Sequence, residues 1–283
     1  MPKVLLFGTS GNPPTGRDGH SGMVDYFVNL GRFDEIWVLP VYQHMFSAKR
    51  SAMAERGAPT YEDRIEMCRL AFENLSTVSC RVRVLRTEQE VYTEILNSKK
   101  ATGDAARAPT RSSTYDVVQY LQKRNPEAEL SFLLGTDTFQ DLRRGKWRKS
   151  KELMEMVSLV VVDRLGVRPE TEDLLAGVET HHPPFLTDVS STKIRNARAE
   201  ELFEGTMALD TSVLRYMKEH GLYGFGRQSR LERIVMAVSD RCSSALSEER
   251  RLATIAGAVA LAAVVGAFAV ARVRNDGRGC AIR

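Results

Sequence analysis

Two short blocks of the chain carry residues suited to holding phosphate. The first, Gly8-Thr9-Ser10-Gly11-Asn12-Pro13-Pro14, follows an apolar run, and after a short polar stretch comes Asp18-Gly19-His20 at the start of an amphipathic segment. A glycine-rich strand-to-helix turn lets backbone N–H groups approach phosphate oxygens, and the helix N-terminus favours their negative charge. The turn alone serves equally as an ordinary connection; His20 tips the balance. The positive end of a helix dipole disfavours an imidazolium unless an anion is present, so His20 reads as a phosphate ligand. The second block, Asp188-Val189-Ser190-Ser191-Thr192-Lys193-Ile194-Arg195, sets three hydroxyls at a second strand-to-helix junction. Helix capping explains one hydroxyl. It does not explain Lys193 and Arg195 in the first helical turn, where the dipole opposes them and a bound polyphosphate would reverse the sign.

Such residues need a scaffold that brings them together, and the pattern of the chain supplies one. Short β-branched runs at Val4–Phe7, Glu35–Leu39, Val78–Leu85, Leu130–Leu134 and Leu159–Asp163 alternate with amphipathic stretches near His20–Leu30, Tyr61–Asn74, Thr114–Lys123 and Lys151–Met156. That rhythm predicts an α/β fold, a Rossmann-like parallel sheet with helices on both faces. A Pro-containing loop follows, then a short apolar segment Phe185–Val189 and two helices near Ser191–Phe203 and Thr211–His220, expected as a small C-terminal helical subdomain. Lys99–Arg111 reads as a basic loop. Asp137, at the C-terminal end of a strand, stands where open α/β sheets bind ligands and could accept ribose hydroxyls.

Composition narrows the function. With 283 residues, 43% of them apolar, the chain can bury a large core. The balance of 40 Lys+Arg against 36 Asp+Glu leaves only +4, which argues against nucleic acid as a partner. Cys68, Cys80, Cys242 and Cys280 form no CxxC pair, and His44, His181, His182 and His220 show no ligand spacing, so no resident metal site is expected.

The blocks in this order resemble the nicotinamide/nicotinate mononucleotide adenylyltransferases of the nucleotidyltransferase superfamily. That family carries a Gly-x-Phe-x-Pro-x-(His/Thr)-x-Gly-His turn and an Ile-Ser-Ser-Thr-x-Ile-Arg motif, the latter matched at Val189 to Arg195. Gly135-Thr136-Asp137 with Leu142 and Trp147, Thr60 to Arg64 with Met67, Ser113-Thr114-Tyr115, and Val213, Tyr216 and His220 to Tyr223 resemble further family blocks. The turn departs from the pattern. Arg17 stands three residues before His20 and Thr15 five, so either Thr15 keeps the first phosphate contact on a longer loop or Arg17 replaces it. Ser10 stands where Phe is common.

The resemblance implies attack by a mononucleotide 5′-phosphate on the α-phosphorus of ATP, with pyrophosphate leaving and a dinucleotide forming. It implies catalytic roles for His20, Thr15 and Arg195. ATP would be held by Gly8, Thr9, Ser10, Gly11, Ser190, Ser191, Thr192 and Arg195, with Mg²⁺ on its phosphates. Lys49, Arg64, Thr114, Asp137 and Trp147 would bind the mononucleotide, the Trp147 indole stacking on the pyridine ring. Two alternatives remain: a nucleotidyltransferase with another phosphate acceptor, such as phosphopantetheine, and a nucleotide-binding scaffold without catalysis.

The catalytic domain is expected to span 1–225, with Gly221 and Gly224 marking its end. Residues 226–250 read as a charged helical stalk. Leu252 to Ala271 is an uncharged run of 20 residues between Arg250-Arg251 and Arg272, and at 1.5 Å per residue it covers roughly the 30 Å of a bilayer core. It predicts a transmembrane helix over 251–272 and a basic tail over 273–283; a helix buried in a dimer is the alternative. Ala253, Gly257, Ala260 and Gly266 would admit a second span, leaving a homo-oligomer open, although so Ala-rich a run carries such spacing by composition alone. Met1-Pro2-Lys3 begins no basic-then-apolar leader. The expected arrangement is a C-terminal anchor with the catalytic domain facing the cytosol.

Overall fold

The computed structural model describes residues 1–43, 58–101, 112–163, 178–196 and 208–225. All lie in a first unit, Met1–Gly226; a second unit, Arg227–Arg283, lies outside the described residues, and with it the expected stalk, transmembrane helix and tail. Among the described residues no helix is long and apolar enough to cross a membrane.

Six strands form one parallel sheet: β1 (Lys3–Thr9), β2 (Glu35–Pro40), β3 (Arg81–Val84), β4 (Glu129–Gly135), β5 (Ser158–Val162) and β6 (Glu179–His181). They lie in the order β3-β2-β1-β4-β5-β6, with every pairing parallel. The order reverses between β1 and β4, and a crevice opens there at the carboxyl ends of the strands. The expected Rossmann-like sheet is therefore present.

Alternation along β1 shows how the strands are covered. Leu5 and Phe7 enter one apolar layer with Val24 and Phe27 of α1 (His20–Asn29), Ile65 and Phe72 of α2 (Tyr61–Phe72), and Met217 of α8 (Thr211–Glu219). Val4 and Leu6 enter the opposite layer with Val117 and Leu121 of α4 (Thr114–Arg124), Phe139 of α5 (Thr136–Arg143) and Leu153 of α6 (Ser150–Met156). With side chains of period two buried on both faces, the central strands read as near-continuous apolar runs, interrupted in β4 by the buried Ser131.

Several expected boundaries move. The third strand starts at Arg81, because Val78 is fully exposed in a turn closed by the N–H of Thr77 to the carbonyl of Cys80. α3 (Thr87–Ala101) occupies a stretch in which no helix was expected, and the described end of the expected basic loop, Lys99 and Lys100, is its last turn. The helix over 191–203 is described as α7 (Ser191–Asn196), the rest lying outside the described residues. Phe185–Val189 is loop.

α1 approaches the turn before it more closely than a side chain allows. A Cβ on Gly22 would stand 1.8 Å from the carbonyl oxygen of Arg17, a backbone atom that cannot swing aside. Gly22→Ala should therefore lower unfolding free energy by about 2–4 kcal/mol, as overpacking against backbone does. Urea denaturation checks it; an unchanged midpoint would mean that the 15–19 turn yields freely.

Candidate active site

Two adjoining cavities open at the carboxyl ends of β1 and β4. The first, about 270 Å³, is lined by Gly8, Thr9 and Ser10, by Asn12 and His20, and by Asp137 and Thr138 at the start of α5. Ser190, Ser191, Thr192 and Arg195 close its far side. Both phosphate-type blocks of the sequence thus meet across one cavity, although 170 residues separate His20 from Ser190.

Threonine 15 does not line this cavity; it holds His20. The N–H of Thr15 donates to His20 Nδ1 at 3.1 Å, and the N–H of His20 donates to Thr15 Oγ1 at 2.7 Å. An Nδ1 that accepts a backbone N–H cannot carry the proton of the neutral ring, so that proton resides on Nε2. Thr15 is only 1% exposed. Gly19 is required here because a Cβ would come within 2.2 Å of Thr15 Oγ1. Gly16, Arg17 and Asp18, which make the loop two residues longer than the family spacing, form a turn anchored from outside. Gly16 N–H donates to the carbonyl of Ala208 at 2.7 Å, and Thr187 N–H donates to that of Asp18 at 3.0 Å. Arg17 itself is exposed and lines neither cavity.

The second block is fastened to the first. Ser191 Oγ donates to the carbonyl of Pro13 at 2.7 Å, and Arg195 Nη1 donates to that of Asn12 at 2.6 Å. Tyr223 Oη donates to Asn12 Oδ1 at 2.6 Å, tying the end of the unit to the same turn. Ser190 Oγ accepts the N–H of Lys193, the capping hydroxyl foreseen for one of the three. Lys193 turns away: its ammonium pairs with Asp188 on the exposed side, so Arg195 is the cation of this block that reaches the cavity.

The second cavity, about 250 Å³, shares Gly8, Thr9, Ser10, Asp137 and Thr138 with the first. Its walls are apolar side chains of β2, β4 and α4, with Thr114 at the start of α4 and Trp147 at the rim. Trp147 is half-buried, its ring edge-on to Phe132 at 6.3 Å. Gln43, Glu88, Ser112 and Asp141 also line this cavity, and the sequence blocks gave no notice of them. Only the placement of Glu88 just beyond β3, at the ligand-binding end of the sheet, could have signalled it.

Arg64 has a structural position. It is 3% exposed, lines neither cavity, and donates to the carbonyls of Ser10, Val41 and Tyr42 at 2.6–3.2 Å. Its fork pins the ends of β1 and β2, the floor of both cavities. Gly11 is likewise behind the lining, its N–H on Thr9 Oγ1 at 3.2 Å. Lys49 lies outside the described residues.

The cytidylyltransferase-like family pattern matches residues 6–197. A Bacillus pumilus protein described as a probable nicotinate-nucleotide adenylyltransferase is 30% identical over 223 residues, covering 79% of this chain and 99% of the relative. The nicotinate-nucleotide adenylyltransferase of Bacillus subtilis is 26% identical over 230 residues, with 79% and 99% covered. Among solved structures, a Plasmodium falciparum nicotinic acid mononucleotide adenylyltransferase complexed with APC has the same fold, with a TM-score of 0.58 at 16% identity over 80% of this chain and 98% of that one.

If Thr15 orients His20 as the hydrogen bonds indicate, Thr15→Val should weaken binding of inorganic triphosphate about tenfold, the cost of one lost bond to a buried donor. Thr15→Ser should keep the wild-type affinity and Arg17→Ala should stay within about threefold. Calorimetric titration of the three variants decides between the two residues; a larger loss at Arg17 would make the exposed cation the phosphate contact.

Proposed function

The chain belongs to the cytidylyltransferase-like family and, within it, to the nicotinate-nucleotide adenylyltransferases, and we propose that the residues of the two cavities divide this family's reaction between them. The enzyme transfers the adenylyl group of ATP to a pyridine mononucleotide, giving the dinucleotide and pyrophosphate in NAD biosynthesis. In our reading the first cavity takes the triphosphate and the second the pyridine ring, with Gly8–Ser10 and Asp137 between them. The observation that carries this is the meeting of His20 and the 190–195 block across one cavity beside a second, aromatic-rimmed one.

The attacking 5′-phosphate has its second pKa near 6 and is mostly dianionic at pH 7, so no general base is required. Catalysis then consists of alignment and charge stabilisation. His20 Nε2–H donates to the α-phosphate, where negative charge builds as pyrophosphate departs, and Thr15 positions it. Ser190, Ser191, Thr192 and Arg195 hold the β- and γ-phosphates; Ser191 and Arg195 redirect donors now spent on the carbonyls of Pro13 and Asn12. Asp137 accepts ribose hydroxyls, Trp147 stacks on the pyridine ring, and Thr114 brings the helix start of α4, favourable to an anionic ring substituent, to the ring's edge. Lys49 is assigned to the mononucleotide on the resemblance alone.

The residues present suit Mg²⁺ carried in on ATP. Asp137 is the one carboxylate among the described lining residues of the first cavity, and Mg²⁺ keeps most of its waters and takes few protein ligands. When bound it neutralises phosphate charge.

We assign the catalytic domain to residues 1–225, its end formed by α8 and the turn Leu222–Gly224 with Phe225 buried. The charged stalk and the apolar run Leu252–Ala271 make a membrane anchor that leaves this domain facing the cytosol, where ATP and mononucleotides are found; small residues along the run would permit a homo-oligomer.

The purified chain should convert ATP and nicotinate mononucleotide to pyrophosphate and dinucleotide, and His20→Ala should lower kcat by about 10²-fold with the fold intact. No turnover by the wild type would contradict the function, and a folded His20→Ala within threefold of wild type would remove the histidine from the mechanism. Deleting residues 251–283 should release the protein from carbonate-washed membranes with kcat unchanged; a full-length chain soluble without detergent would refute the anchor.

A further inference from the structure

The two cavities differ in charge. The first has His20 and Arg195 in its lining, whereas the described lining of the second contains no Lys, Arg or His, only the carboxylates Glu88, Asp137 and Asp141. Asp141 is paired with Lys146 at 2.6 Å, and Asp137 belongs to both cavities. Glu88 stands apart. Glu88 is half-buried in that lining, its Oε2 accepts the N–H of Tyr42 at 2.9 Å, and among the described residues no cation forms an ion pair with it. Arg64 is near enough to act through space, but its guanidinium hydrogen bonds go to the carbonyls of Ser10, Val41 and Tyr42. Burial pushes the Glu88 carboxyl up to about 7, against the opposing pull of the Tyr42 N–H and the Arg64 charge.

A carboxylate set in a lining with Leu39, Val117 and Phe132 and without an ion-pair partner among the described residues is costly. An apolar group would fill the space at no such cost. The arrangement becomes favourable when a cation of the right shape enters, and the Trp147 indole at the rim is the other wall that attracts a flat cation. A pyridine mononucleotide in its oxidised form carries that charge on the ring itself. Resting on the function proposed above, we infer that Glu88 is the counter-ion of the pyridinium ring, so that the second cavity selects mononucleotides with a positively charged ring over neutral-ring analogues. Glu88 is then a specificity residue. It leaves the triphosphate side untouched, and its role applies equally to acid and amide mononucleotides, since both carry the ring charge.

The test compares nicotinate mononucleotide with its 1,4-dihydro form, which keeps the phosphate, ribose and carboxylate and removes the ring charge. With the full-length protein and saturating ATP, the wild type should use the oxidised substrate at least about tenfold better in kcat/KM, a difference expected of a desolvated ion contact. Glu88→Gln keeps the shape and an acceptor for the Tyr42 N–H. It should raise KM for the oxidised form about tenfold, change that for the dihydro form by less than threefold, and leave KM for ATP unchanged. Equal losses on both ring forms would show a packing role and overturn the inference. Should Glu88→Gln fail to fold, the wild type still decides: equal kcat/KM for the two forms refutes the counter-ion. Absence of any turnover by the wild type would overturn the proposed function and this inference together, whereas turnover without ring-charge discrimination overturns the inference alone.

Discussion

The reciprocal pair of hydrogen bonds between Thr15 and His20 is the constraint from which the rest of the cleft follows. Each residue gives its backbone N–H to the other's side chain, so the imidazole can neither rotate nor exchange its tautomer without leaving a buried donor unpaired, at a cost of about 1–3 kcal/mol. Holding that pair requires the 16–18 turn to stay in place, and the turn is held by elements far along the chain. Ala208 and Thr187 bond to it directly, and Ser21 Oγ donates to Asp210, the residue preceding α8. The closing helix of the unit therefore serves the first loop: the placement of residue 20 depends on packing near residue 210.

The topological switch between β1 and β4 explains why one strand end lines two cavities. Gly8–Ser10 and Asp137 line both cavities because β1 and β4 are neighbours there. On one side the histidine and Arg195 favour phosphate; on the other a carboxylate wall and an indole favour a flat cation. The proposed reaction, joining a polyphosphate to a mononucleotide with a cationic ring, would use this polarity of charge, which local charges create in a chain whose net charge is only +4.

The legible parts of the sequence were those in which local pattern and tertiary role coincide. Central strands such as Glu129–Gly135 are buried on both faces and announce themselves as apolar runs, whereas β6, Glu-Thr-His at the sheet edge and only half-buried, carries no such run. Helix α3 was hidden because only Thr87 and Val91 of its 15 residues are buried, leaving little apolar rhythm to detect. His20 and the Ser-Ser-Thr block, which line one cavity, stood out in the sequence because their residue types conflict with a simple helix start. Arg64 and Lys193 show the limit of that reasoning. Residue type marks each as a cation, but only the fold reveals that one is spent on three carbonyls and the other on Asp188. Glu88 lies on an inconspicuous helix, and its meaning comes wholly from what surrounds it.

The account rests on the orientation of one ring, and nitrogen NMR of the protein labelled at histidine observes that ring directly. At neutral pH the account predicts that the neutral His20 side chain is the Nε2–H tautomer, with Nδ1 showing the shift of an unprotonated acceptor, and that Thr15→Val broadens or mixes this signal. A His20 signal showing the Nδ1–H tautomer in the folded wild type would mean that Nδ1 does not accept the Thr15 N–H, and would contradict the account.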